Sequence, residues 1–126
     1  MRLVNRTPYP TNEILQLLGV VFVRARTEPD VVRVRIRARG SSAQGATSPT
    51  GRVVLIGLAA EPYPHRAGYR AAMRGLVPGV VLRSWQEELV DIAGHEAYHV
   101  LRHGAGGEPA AERLGHRLLR WYRRGA

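Results

Sequence analysis

Two histidines four residues apart enclose a glutamate in the run Ile92-Ala93-Gly94-His95-Glu96-Ala97-Tyr98-His99-Val100. On a helix, positions i and i+4 share a face about one turn apart, so both imidazoles reach a single ion. Glu96, next to the first histidine, then stands where a carboxylate works as a base on a water bound to that ion. The chemistry this spacing predicts is metal-assisted hydrolysis. Two imidazoles do not complete such a site, because a catalytic zinc typically has three protein ligands and a water.

The elements that must position these groups follow from the flanking residues. Ser84-Trp85-Gln86-Glu87 has the pattern of a capping box, so a helix is expected from Trp85 to about His103, with Gly104 ending it. At 100° per residue, Leu89, Val90, Ala93, Ala97, Val100 and Leu101 form its apolar sector. His95, Glu96, His99 and His103 flank that sector, and Asp91, Tyr98 and Arg102 are expected to face outward. His103 lies about 12 Å along the axis from His95, too far to share its ion, and suits the helix C-terminus. The third ligand is expected from a second helix that begins with Glu108 as cap and Pro109 as first residue and runs to about Arg123. It offers Glu108, Glu112 and His116 at successive four-residue steps. Their positions alone do not choose among them.

Upstream, residues 1–10 read as a proline-punctuated lead-in. Thr11 is an N-cap for a short helix holding Ile14, Leu15, Leu17 and Leu18, with Gly19 as terminator. Val20 to Arg26 is expected to be a strand, and Glu28-Pro29-Asp30 a turn. Val31 to Arg39 alternates: Val32, Val34, Ile36 and Ala38 face one way, and Arg33, Arg35, Arg37 and Arg39 the other. That predicts a half-buried antiparallel strand with a row of guanidinium groups on its wet face. In the Gly-, Ser- and Thr-rich stretch from Gly40 to Gly51 there is no phosphate-loop spacing, but Ser41 to Ala46 suits an irregular edge strand for an extended peptide. The near-continuous apolar run from Arg52 to Ala59 predicts an internal strand. From Glu61 to about Arg83 the chain is less regular, with a helical turn or two expected over 67–74. Tyr63 and His65 in this region are candidate hydrogen-bond donors to a developing oxyanion. The expected fold is a single α+β domain over residues 1–126: an N-terminal helix, a three-stranded, mostly antiparallel sheet, the histidine-bearing helix and a C-terminal glutamate helix.

Composition narrows the chemistry further. The chain has 126 residues, enough for one core, and no cysteine, so any transition metal must use His and carboxylate. No stretch approaches the roughly 20 apolar residues of a membrane span, and the charged start lacks a signal-peptide core, so no membrane partner and a cytoplasmic protein are expected. Net charge is +9 and all 19 basic residues are Arg. That field suits an acidic partner or nucleic acid, through Arg33, Arg35, Arg37 and Arg39, although no nucleic-acid motif accompanies it.

The run Gly107-Glu108-Pro109-Ala110-Ala111-Glu112-Arg113-Leu114-Gly115 resembles the glutamate helix of gluzincins, the thermolysin-like zinc peptidases. The Trp85 to His99 segment is similar to their active-site helix. The order of elements is similar to that of minigluzincins and of ImmA/IrrE-type peptidase domains. The residue-level match covers about Trp85 to Tyr122. The resemblance implies a Zn2+-dependent endopeptidase acting on a peptide or protein substrate, with His95, His99 and Glu108 as metal ligands and Glu96 as catalytic base and acid. It places Glu112 behind a ligand imidazole, with Leu114 and Gly115 as packing positions. Only eight residues separate His99 from Glu108, fewer than is usual in these families, which keeps Glu112 as the alternative ligand. The function of a different class is a regulatory or nucleic-acid-associated protein that retains the His-Glu helix and uses its Arg-rich faces.

Overall fold

A computed structural model describes residues 1–41, 44–67, 79–102 and 107–125. In chain order its elements are β1 (Arg2–Arg6), α1 (Thr11–Ala25), β2 (Val31–Ile36), β3 (Gly45–Thr47), β4 (Val53–Leu58), β5 (His65–Ala67), β6 (Val80–Leu82), α2 (Trp85–Arg102) and α3 (Glu108–Arg123). The fold is α+β. Its main sheet has four strands in the order β1-β2-β4-β3, and β5 and β6 form a separate two-stranded sheet. One apolar core joins α1 and α2 to the inner face of the main sheet, with Val32, Val34, Val54 and Ile56 facing Ile14, Leu18, Leu89 and Ala93.

Several expectations are corrected. The sheet has four strands: Arg2–Arg6 is itself a strand, β1, and not a lead-in, and Gly45–Thr47 adds the edge strand β3, while Val20 to Arg26 supplies none. It is mostly parallel: β1 and β4 both run parallel to β2, and β3 alone is antiparallel, to β4. The alternation of β2 reports a sheet with one uncovered face and says nothing of strand direction. Direction is set by connection length. Helix α1 carries the chain back between β1 and β2, as a parallel pair requires. The internal placement of β4 is as expected.

The run Val20 to Arg26 is not a strand, since α1 continues to Ala25. Ile14, Leu18, Val21 and Phe22 repeat at helical spacing and are all buried. Burying each is worth about 1.5–3 kcal/mol. Gly19 inside a helix costs only about 1 kcal/mol, and β-propensity spans a similar amount, so the helical stripe wins. The helix stops at Arg26, which takes a left-handed conformation (φ 58°) while the Arg26 and Thr27 N–H groups bond back to Val23 and Phe22 carbonyls.

The arginine row also breaks. β2 ends at Ile36, and Arg37 turns inward, where it is 7% exposed and donates to the Gly57 carbonyl at 2.6 Å and to Glu88 at 3.1 Å. Arg33, Arg35 and Arg39 stay exposed, and so does Ala38. The helical turns expected over 67–74 fall, beyond Ala67, outside the described residues, as do His103 and Gly104. No helix among the described residues is long and apolar enough to cross a membrane.

Candidate metal centre

Helix α2 begins as its sequence requires. The Glu87 N–H donates to the Ser84 hydroxyl at 3.2 Å, while the Glu87 carboxylate accepts from the Arg83 N–H at 2.9 Å. Its buried stripe includes Leu89, Val90, Ala93, Ala97 and Val100, but Leu101 is 49% exposed, against expectation. Asp91 corrects the reading in the other direction: it is 4% exposed and faces α3, not solvent.

The two helices form an antiparallel pair held at both ends. Near the start of α2, the Glu87 carboxylate takes Arg123 of α3 in a two-pronged contact, 2.7 Å to Nη2 and 3.1 Å to Nε. In the middle, Gly94 and Gly115 let the backbones approach. A Cβ on Gly115 would stand 2.5 Å from the Asp91 carbonyl oxygen, and one on Gly94 would stand 2.9 Å from the Gly115 Cα. At the far end, Gly107 (φ 66°) lies so close to Tyr98 that a Cβ would meet the Tyr98 hydroxyl at 2.8 Å. That glycine lets α3 start at once, and the short step from His99 to Glu108 is therefore sufficient.

The result is convergence. The Nε2 atoms of His95 and His99 are 3.3 Å apart, and Glu108 reaches them with Oε2 at 2.9 Å and Oε1 at 2.8 Å respectively. Ligand atoms of the three residues all lie within 4.8 Å of one another, a group able to hold a metal ion. Two nitrogens bonded to zinc at about 2.0–2.1 Å and a tetrahedral angle stand about 3.3 Å apart, so the imidazole pair fits. Glu112 takes the other side of His95, accepting from Nδ1 at 2.6 Å. A bond at Nδ1 fixes the ring and leaves Nε2 as the free lone pair, the arrangement expected behind a metal-bound histidine. Glu112 thus stands behind the cluster and Glu108 within it.

Glu96 is 3% exposed, with Oε1 accepting from the Thr47 hydroxyl at 2.8 Å and Oε2 3.8 Å from His95 Nε2. Gly45 of the same edge strand packs so tightly on Glu96 that a Cβ would fall 2.8 Å from Oε2. A cleft of about 160 Å³ opens here, lined by Gln44, Gly45, Asp91, His95, Glu96 and Glu112 among others. Burial raises the pKa of Glu96, against the pull of His95. Burial also disfavours the His95 imidazolium, but the Glu112 bond and the carboxylates of Glu96 and Glu108 outweigh it and push its pKa up to about 9. Glu112 shows the reverse balance: burial opposes its charge, yet the rings of His116 and His95 hold it down to about 2.

His116 is not in the cluster. It lies 3.3 Å from Glu112 Oε2, unaligned for a hydrogen bond, and 3.7 Å from Asp91, whose pKa burial raises to about 7. Tyr63 and His65 are placed elsewhere too. The Tyr63 hydroxyl donates to Glu88 at 2.6 Å and His65 Nε2 lies 3.3 Å from the same carboxylate, two helical turns before His95. Glu88 is fully buried and also takes Arg37 and the Ala59 N–H, so this knot ties the sheet to α2. The roles of Thr47 and Gly45 at Glu96 had no signal in the sequence. Asp91 had one, standing four residues before His95 on the same helical face. Compared with known protein families, with curated proteins and with solved structures, the chain finds no match.

Proposed function

We propose that the chain is a small zinc-dependent endopeptidase of gluzincin type. The observation that carries this reading is the convergence of His95, His99 and Glu108 beside a buried Glu96, with Glu112 fixing the His95 ring. A donor set of two imidazoles and one carboxylate, without thiolate, suits a catalytic zinc with one open position. Zinc held there by His95, His99 and Glu108 would supply a bound water of pKa near 7 and a Lewis acid for the scissile carbonyl. Glu96, its basicity raised by burial, would hold the proton of a water placed there on Oε2 while the Thr47 hydroxyl holds Oε1, and would then hand that proton to the leaving amine. Strand β3 ends the sheet beside Glu96, so an extended peptide adding to its outer edge would pass the carboxylate.

The test separates binding from chemistry. Glu108→Ala should lose metal from the purified protein. Glu96→Gln should keep it and lower chelator-sensitive peptide cleavage by about 10²–10⁴-fold. A fully active Glu96→Gln chain would overturn the mechanism.

One observation favours the second reading, a regulatory or nucleic-acid-associated protein. Arg2, Arg6, Arg33 and Arg35 line a groove of about 440 Å³ on the uncovered face of the sheet. Arg37 takes no part, being buried against Glu88. Salt-dependent nucleic-acid binding that survives zinc removal would support this reading.

A further inference from the structure

The side of α3 turned away from the metal cluster carries a second feature. Taking Glu108 as reference at 100° per residue, Glu112 and His116 lie within about 80° of it, while Leu114, Arg117, Trp121 and Arg124 lie about 160–240° around the helix. These four residues line a groove of about 1010 Å³ between α3 and α1. The helices meet across it where the Arg24 guanidinium stacks over the Trp121 ring, 4.6 Å from its centre.

The α1 wall is apolar and exposed: Leu15 is 38%, Val20 40% and Val23 79% accessible. Apolar side chains at that density, on a wall facing a partly exposed tryptophan, form the kind of contiguous patch that marks an interaction surface. The rim is cationic, with Arg24, Arg26, Arg117 and Arg124 among the lining residues and no acidic side chain among the described ones.

We infer that this groove docks an acidic amphipathic helix of a partner protein. The length matches: Leu15 to Val23 and Leu114 to Arg124 span about 12–15 Å, two to three turns of a helix. The apolar floor takes the anchors of one helical face, and the arginine rim pairs with carboxylates beside them. Electrostatics disfavour a second copy of this chain, because a symmetric contact would set one arginine rim against another. Nucleic acid leaves the apolar floor unpaired, and a flat membrane surface does not fill a concave groove. The site is independent of the proposed hydrolysis.

The test uses the intact chain and a dye-labelled helical peptide with a leucine-phenylalanine face flanked by glutamates, read by fluorescence anisotropy. Saturable binding is expected, weakened tenfold or more by Val23→Asp, and similarly by Arg117→Glu with Arg124→Glu. All three positions are exposed, so the variants should keep native circular dichroism and metal content. A scrambled peptide of equal composition should bind at least tenfold more weakly, and a chelator should change nothing. Equal binding of the scrambled peptide, loss of binding on chelation, or indifference to the three substitutions would each overturn the inference. So would a Val23-dependent binding of anionic phospholipid vesicles, or Val23-dependent dimerisation, in the absence of peptide binding.

Discussion

The two faces of α3 treat charge in opposite ways. On the face toward α2, carboxylates meet basic groups: His95 has Glu108 and Glu112, His99 has Glu108, and Glu87 has Arg123. On the face toward α1, four arginines line a groove with no acidic side chain among the described residues. Six of the ten acidic residues sit on α2 and α3, namely Glu87, Glu88, Asp91, Glu96, Glu108 and Glu112. The positive excess is therefore displaced to other surfaces. A cleft in which two imidazoles and a carboxylate converge can hold one small cation once the rings are neutral. A groove whose charges do not cancel is left to a molecule that brings the opposite sign.

The contrast depends on α3 being held at a fixed distance from α2, and the largest predicted effect comes from changing that distance. In Gly115→Ala the new methyl would meet the Asp91 carbonyl at 2.5 Å and the His95 backbone nitrogen at 3.2 Å. Neither backbone atom can swing aside, so the helices must part. Overpacking of this kind costs typically about 1–3 kcal/mol. Urea unfolding should show that loss, and metal content should fall with it, because Glu108 and Glu112 both ride on α3. An alanine chain with wild-type stability and metal would show that the glycine crossing does not set the cleft.

Glu112→Gln sharpens the comparison from the cleft side. The cluster of His95, His99 and Glu108 would remain, but His95 would lose the carboxylate at Nδ1. Removing such a partner typically weakens metal binding about 10–100-fold, measurable by competition with a chromogenic chelator. Wild-type affinity in this variant would mean that Glu112 only packs.

The same pair sets a pH dependence. In the metal-free chain the His95 pKa stands at about 9, above its ordinary 6.5. Its contribution to stability is therefore full below pH 6.5 and is lost as pH rises through about 9. Metal binding runs the other way, since it needs the neutral ring, so apparent affinity should rise up to about tenfold per pH unit below 9. Thermal unfolding of metal-free and zinc-loaded protein across pH 6–9 should give opposite slopes. Parallel slopes would remove His95 from the site.

Legibility in the sequence divided along the same line. His95, Glu96 and His99 lie in one helix, so their relation was fixed by local periodicity. Glu108, Glu112 and His116 are three candidates by spacing. The resemblance favours Glu108 while keeping Glu112 as the alternative, and the close helix approach at Gly107, Gly94 and Gly115 puts Glu108 beside both rings. The partners that come from afar left no trace: Thr47 and Gly45 reach Glu96 from a three-residue strand, and Arg37 leaves its row only because β2 stops at Ile36. The α1 error has one physical cause. A β-rich run, Val20 to Val23, is helical when its buried members Val21 and Phe22 extend Ile14 and Leu18 into a stripe at i, i+4, i+7 and i+8, and that stripe only appears if Gly19 is read through. The same misreading concealed the groove, because Val20 and Val23 become its wall only once they are on a helix.

Arg24 offers the smallest and most local test of the groove side. Its guanidinium lies over Trp121 across the groove and so joins α1 to α3 directly. A cation over an aromatic face at an exposed site is worth about 0.5–1 kcal/mol. Arg24→Ala should lower the unfolding free energy by about that amount in urea titrations and change the Trp121 fluorescence, while metal affinity stays at the wild-type value. Arg24→Lys should restore part of the stability but less than all of it, because the planar guanidinium stacks on the indole and an ammonium does not. If Arg24→Ala weakened metal binding as much as it weakened folding, the two faces of α3 would be coupled through the helix, and the division between the metal-binding cleft and an independent groove would fail.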